Sequence, residues 1–92
     1  MSDTAILNDT DTTVILGRPH NVILFNDDHH DMLEVTLQIM KAVKCDPPRA
    51  AAIMQEAHQT GRAVCFTGGL ERCEHVESIL AEIQLGTLIE PA

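Results

Sequence analysis

The spacing of apolar positions changes several times along the 92-residue chain, and each change predicts an element. Val22-Ile23-Leu24-Phe25 is a continuous apolar run that reads as a strand and stops abruptly at Asn26-Asp27-Asp28. Asp31-Met32-Leu33-Glu34 has capping-box spacing, so a helix starts there. Met32, Val35, Ile39 and Val43 fall on one stripe of that helix, and Leu33, Leu37 and Met40 beside it predict a wide apolar face. Asp46-Pro47 ends it and opens a second helix, because Asp caps well and Pro is tolerated in a first turn. Ala50, Ile53, Met54 and Ala57 form its inner side, His58 lies one turn beyond Met54, and Gly61 is the expected left-handed stop. Arg62 to Phe66 then reads as a short strand. Thr67 is the expected cap of a third helix, despite the weakening effect of Gly68-Gly69, with Cys73, Val76, Leu80 and Ile83 as its stripe. A last strand runs from about Leu85 to Glu90.

The predicted order is β-α-α-β-α-β, with short connections. That makes a single α+β domain in which three helices pack on a three-stranded, mainly antiparallel sheet. The domain is expected over residues 19–92. Residues 1–18 are rich in Thr, Asp and Asn and read as a flexible N-terminal arm. Val14-Ile15-Leu16 echoes Val22-Ile23-Leu24, and Gly17-Arg18-Pro19 between them offers a turn. An extra short strand is therefore a second, less favoured reading of the arm.

Composition narrows the function. Fourteen acidic residues against six basic ones give a formal net charge of -8, which repels phosphate backbones and anionic lipid. No nucleic-acid or membrane partner is expected. The first residues carry no basic segment followed by an apolar stretch, and no run approaches membrane-spanning length, so a cytoplasmic protein is the expectation. Cys45, Cys65 and Cys73 are odd in number and form no CxxC pair, which argues for reduced thiols without a zinc knuckle or disulfide framework.

The end of the first strand carries the chemistry. Two carboxylates and a carboxamide beside an apolar wall can collect a cation: a metal ion, a lysine or the free amino group of another chain. Asn26-Asp27-Asp28 is also what an ordinary turn after a strand looks like. Taken singly, His58 reads as a boundary residue and Met32 and Met54 as packing.

Val22-Ile23-Leu24, Asn26-Asp27-Asp28, Met32, Val35, Met54, His58 and Gly61-Arg62-Ala63-Val64, in this order and spacing, resemble the ClpS family of Clp protease adaptors. The resemblance runs without gaps from about Asn21 to Leu80 and weakly through the last strand. It implies a domain, not an enzyme and needing no cofactor, that binds proteins with a bulky hydrophobic first residue and hands them to a ClpA-type AAA+ unfoldase of the ClpAP protease. By that resemblance Asn26, Asp27 and His58 hold the substrate's α-amino group. Leu24, Met32, Val35, Met54 and Ala57 line a side-chain pocket, with Leu85 a less secure member. The acidic helix positions Glu71 and Glu74, with Arg72 between them, match the region that meets the unfoldase's N-terminal domain. A solvated helix face is the plain alternative for them. The arm would then serve delivery, and the protein is expected to be a monomer.

The residues support the same reading by their own chemistry. An α-ammonium group has three donors, and Asp27, Asn26 and a neutral His58 supply an anion, a carbonyl oxygen and a lone pair. A protonated His58 has no lone pair to offer, so binding is expected to weaken in acid. The chain departs from the family pattern at His29-His30-Asp31, where an aromatic or similar residue, a small hydroxyl residue and proline are usual. His30 thereby enters the pocket list, either narrowing the mouth or adding a hydrogen bond. Ala57 is smaller than the branched residue expected there and deepens the pocket. Two rival readings remain: a metal site built from Asp27, Asp28, His29, His30 and Asp31, and a regulator that binds the unfoldase without cargo because His30 blocks the pocket.

Overall fold

The computed structural model describes residues 17–92. Strand β1 (His20–Phe25) is followed by helices α1 (Met32–Val43) and α2 (Pro47–Thr60), strand β2 (Arg62–Gly68), helix α3 (Leu70–Leu80), a 3-10 turn (Ala81–Ile83) and strand β3 (Thr87–Pro91). β1 is the central strand and pairs antiparallel with both neighbours, in the order β2-β1-β3. The small α+β domain expected from the sequence is thus present. The arm and the extra strand considered at Val14-Ile15-Leu16 lie, but for residues 17 and 18, outside the described residues.

Local chemistry sets the helix ends as expected at two places. Asp31 Oδ1 accepts the Glu34 N–H at 2.7 Å to open α1, and Asp46 Oδ1 accepts the Arg49 N–H at 3.2 Å to open α2. Gly61 closes α2 with φ 95°, a left-handed conformation that suits a residue lacking Cβ. At α3 the expectation fails. β2 runs on to Gly68, Gly69 occupies the cap position without a side-chain bond, and Thr67 instead donates to Asn21 Oδ1 at 2.6 Å across the strand pair. The cross-strand partner at this register outcompetes the cap. Gly68 also accommodates Phe66, since a Cβ on it would lie 2.8 Å from the ring.

The core lies between one face of the sheet and the helices. Val22 and Leu24 point inward from β1, with Ala63 and Cys65 from β2, onto Val35, Ile39, Ile53, Ala57, Cys73, Val76 and Leu80. Register shifts between Val22 and Ile23, with Val22 opposite Phe66 and Ile23 opposite Val64, leaving Cys65 unpaired in a bulge. Cys65 and Phe66 both pack on the core as a result. Ile23 faces the other way, flanked by Val64 and Leu88 in register.

Three sequence expectations need correction. Leu33 and Leu37 stand exposed, so the buried stripe of α1 is the narrower Val35, Ile39 and Ala42. Ile83 sits in the 3-10 turn and not in α3, and β3 begins at Thr87 while Leu85 is buried in the core ahead of it. The 3-10 turn is tied to α1 through Glu82 Oε1, which accepts from Lys41 Nζ at 2.7 Å and Gln38 Nε2 at 3.1 Å, and Gln38 Nε2 also reaches the Ile79 carbonyl in the last turn of α3 at 2.6 Å.

This distribution of burial separates two leucines. Leu80 is fully buried and Leu37 is 53% exposed. Urea unfolding should show Leu80→Ala losing about 2–5 kcal/mol through transfer and cavity costs, and Leu37→Ala changing stability by no more than about 0.5 kcal/mol. Equal losses at both positions contradict the packing described.

Candidate functional site

Two backbone hydrogen bonds fix the end of β1. The Phe25 N–H donates to the Gly86 carbonyl and the Asn26 N–H to the Gly61 carbonyl, both at 3.0 Å. The left-handed cap that stops α2 therefore also supplies the acceptor that anchors Asn26. Beyond this anchor the chain folds back on Asp27. Asp27 Oδ2 accepts the backbone N–H groups of His29 at 3.1 Å and His30 at 2.7 Å, and the imidazole Nδ1 of His30 at 2.8 Å. Asn26 Nδ2 donates to Asp28 Oδ1 at 3.1 Å, which directs the amide nitrogen to that carboxylate and leaves the Asn26 side-chain carbonyl oxygen as the acceptor free for another donor.

This turn forms one rim of a cavity between the end of β1, the start of α1 and the last turns of α2. The cavity holds about 300 Å³ of free space, part of it open to solvent. Leu24, Val35, Met54 and Ala57, all buried, give apolar walls that belong to the core itself. Met32, 46% exposed, stands at the mouth, where an unbranched thioether can move to fit different guests. Asn26, Asp27, His30 and His58 complete the polar lining, with His58 exposed on α2 one turn beyond Met54. Polar acceptors thus stand directly beside a hydrocarbon-lined hole.

Electrostatics agree with the geometry. Burial pushes the Asp27 carboxyl up, but the hydrogen bonds from the His30 side chain and the His30 and His29 N–H groups outweigh it and hold the group below its ordinary value. Asp27 is a carboxylate through the whole range in which proteins usually work. Among the described residues that line the cavity there is no lysine or arginine.

Every residue named from the sequence for this pocket lines it except Leu85, which is 5% exposed and packs in the core instead. The lining also contains Phe25, which sequence reasoning misses. Strand alternation places Phe25 on the face opposite Leu24, and only its position just before Asn26 signals that the strand end brings it to the cavity. Arg62 stacks over its ring at 5.7 Å from the centroid. Glu71 and Glu74 are exposed on α3 and do not line the cavity.

Other chemistries find little footing among the described residues. No three His, Cys, Asp or Glu side chains are grouped there as metal ligands would be. The Cys65 thiol is pushed up to about 12, chiefly by burial, and burial likewise raises Cys73, so neither is a thiolate nucleophile at neutral pH. No helix there is long and apolar enough to cross a membrane.

Comparison with known proteins places the chain in a family. The family model described as ATP-dependent Clp protease adaptor protein ClpS matches residues 17–84. The ATP-dependent Clp protease adapter protein ClpS of Gloeobacter violaceus is 38% identical over 73 residues, covering 78% of each chain. The structure of Agrobacterium tumefaciens ClpS2 bound to L-phenylalaninamide superposes with a TM-score of 0.76 at 21% identity, covering 82% of this chain and 98% of that one, and so shares the fold. The chain belongs to the ClpS family of ATP-dependent Clp protease adaptor proteins.

Proposed function

We propose that the protein captures substrates by a free N-terminus bearing a bulky hydrophobic first residue and delivers them to a ClpA-type AAA+ unfoldase. The observation that carries this reading is the contact between the Asn26-Asp27 turn and the apolar cavity, because one bound residue then satisfies both. Its α-ammonium group meets Oδ1 of Asp27, the side-chain carbonyl oxygen of Asn26 and a neutral His58. Its side chain enters the hole between Leu24, Val35, Met54 and Ala57. The L-phenylalaninamide bound to A. tumefaciens ClpS2 is a molecule of this chemistry, with a free amino group and a large apolar side chain.

Magnitudes favour a releasable complex. Burying one large apolar side chain yields about 2–3 kcal/mol, and hydrogen bonds to charged groups contribute roughly 1.5–3 kcal/mol each. Association costs at least about 4 kcal/mol. The balance lies near micromolar affinity, which suits an adaptor that hands its cargo on. A charged first residue would lose its hydration without gaining a partner, and a β-branched one carries its bulk too near the backbone to enter. Both are refused.

Delivery needs a second surface. The exposed Glu71 and Glu74 of α3 are the proposed contact for the unfoldase's N-terminal domain, on an element that contributes nothing to the cavity lining. Cargo and unfoldase can then be held together by one monomer in the cytoplasm. Residues 1–18 are assigned to the delivery step and not to capture.

Titration of Asp27→Ala with a Leu-initiated peptide, followed by fluorescence anisotropy, tests capture. Affinity should fall by about tenfold or more, the value of one charge-assisted bond, while circular dichroism stays that of the parent. Undiminished binding removes Asp27 from the site. Replacing Glu71 and Glu74 together by Lys should leave that peptide affinity intact and weaken binding to the isolated unfoldase N-terminal domain, read by the same method. Undisturbed unfoldase binding assigns them to an ordinary solvated face.

A further inference from the structure

We infer that His30 is a positioning residue for the ammonium site: by donating from Nδ1 it saturates Oδ2 of Asp27 and leaves Oδ1 as the oxygen presented to the incoming N-terminus. This role rests on the reading of the cavity given under Proposed function and adds the group that tunes it.

Oδ2 of Asp27 receives three N–H donors within 3.1 Å: the backbone groups of His29 and His30, and the His30 ring. An ionised carboxylate oxygen offers about two lone-pair sites, so this one has nothing left for a ligand. The remaining oxygen does. Because Asp27 can only accept, the proton of a neutral His30 must sit on Nδ1, and Nε2 carries the lone pair. Both side chains are largely shielded, at 18% and 14% exposure, so water competes weakly for the contact. Backbone donors alone hold one edge of the carboxylate. The imidazole adds a third donor to that same oxygen.

The same ring makes the site sensitive to acid in its own right. A neutral His30 orients the carboxylate without altering the negative charge of the pair, whereas a protonated His30 cancels that charge and competes with the ammonium group for it. The charged and titratable neighbours are Asp27, Asp28, His29 and Asp31 from the same loop, His58 across the cavity on α2, and Arg62 of β2 behind Phe25. α1 contributes the uncharged Met32 and Val35 to the cavity lining, and its first turn carries Glu34, whose side chain does not line the cavity. His58 and His30 therefore act in the same direction on acidification, by different means: one loses an acceptor and the other neutralises an anion.

Two variants separate the roles. His30→Ala removes the donor, and His30→Asn keeps an amide donor at about the reach of Nδ1 while never becoming charged. Peptides beginning with Leu should bind His30→Ala roughly five- to tenfold more weakly than the parent at neutral pH, and His30→Asn within about twofold of it. Lowering the pH from 7.5 to 5.5 should cost the Asn variant less affinity than it costs the parent. In the unliganded proteins, carbon-detected NMR titration of the Asp27 carboxyl should show a higher midpoint in His30→Ala and a restored one in His30→Asn. If the parent binds while all three proteins share one affinity and one pH profile, the role of His30 is wrong and the capture reading survives. An Asp27 midpoint that ignores the Ala substitution also overturns it. A parent that does not bind such peptides at all sinks the capture reading, and the role of His30 falls with it.

Discussion

The cavity takes its shape from the pinning of the last residues of β1 by two backbone hydrogen bonds, Phe25 to Gly86 and Asn26 to Gly61. Without them the central strand would fray into a loop, and its acidic turn would have no fixed relation to the helices. Gly61 matters twice, because the left-handed geometry that ends α2 also turns a carbonyl toward Asn26. The same helix brings Met54, Ala57 and His58 to the opposite wall. One short segment thus sets both the polar and the apolar halves of the cavity against each other, and a shift of the turn would be felt by both.

The division of labour within the lining follows from burial. Leu24, Val35, Met54 and Ala57 serve the folding core and the cavity at once, so the hole is held open by the same packing that stabilises the domain. The polar members sit at the exposed end of strand and helix, where their hydration is retained until a ligand replaces it. Asp27 and His30 are exceptions in being partly covered, and three N–H donors on one Asp27 oxygen keep that carboxyl ionised there. An anion fixed by its own loop is already arranged for a cation before one arrives, which lowers the ordering cost of binding. The negative charge of the whole chain adds a longer-range attraction for a positively charged N-terminus and repels nucleic acid.

Much of this was legible in the residues. Asp31 and Asp46 announce the two helix starts because capping is a local interaction, settled within four residues, and Met54 and His58 fall on the cavity side because helical spacing is regular. Thr67 misled because its hydroxyl found Asn21 across the sheet, a partner distant in sequence. Leu33 and Leu37 misled because hydrophobicity indicates a preference for burial, whereas the neighbours of α1 cover only part of its surface. Phe25 was missed since strict alternation fails at a strand end, and Leu85 was misplaced since β3 starts two residues later than its composition suggests. The bond between His30 and Asp27 has no sequence signature beyond proximity, and only the folded turn reveals it.

The central claim is that one cavity reads an ammonium group and the hydrocarbon attached to it together. Calorimetric titration of two otherwise identical Leu-initiated peptides, one with a free and one with an acetylated N-terminus, tests it most directly. The free peptide should bind near micromolar affinity and the acetylated one at least about a hundredfold more weakly, since acetylation removes the charge and two of its three donors. Equal affinities for the two would contradict the account.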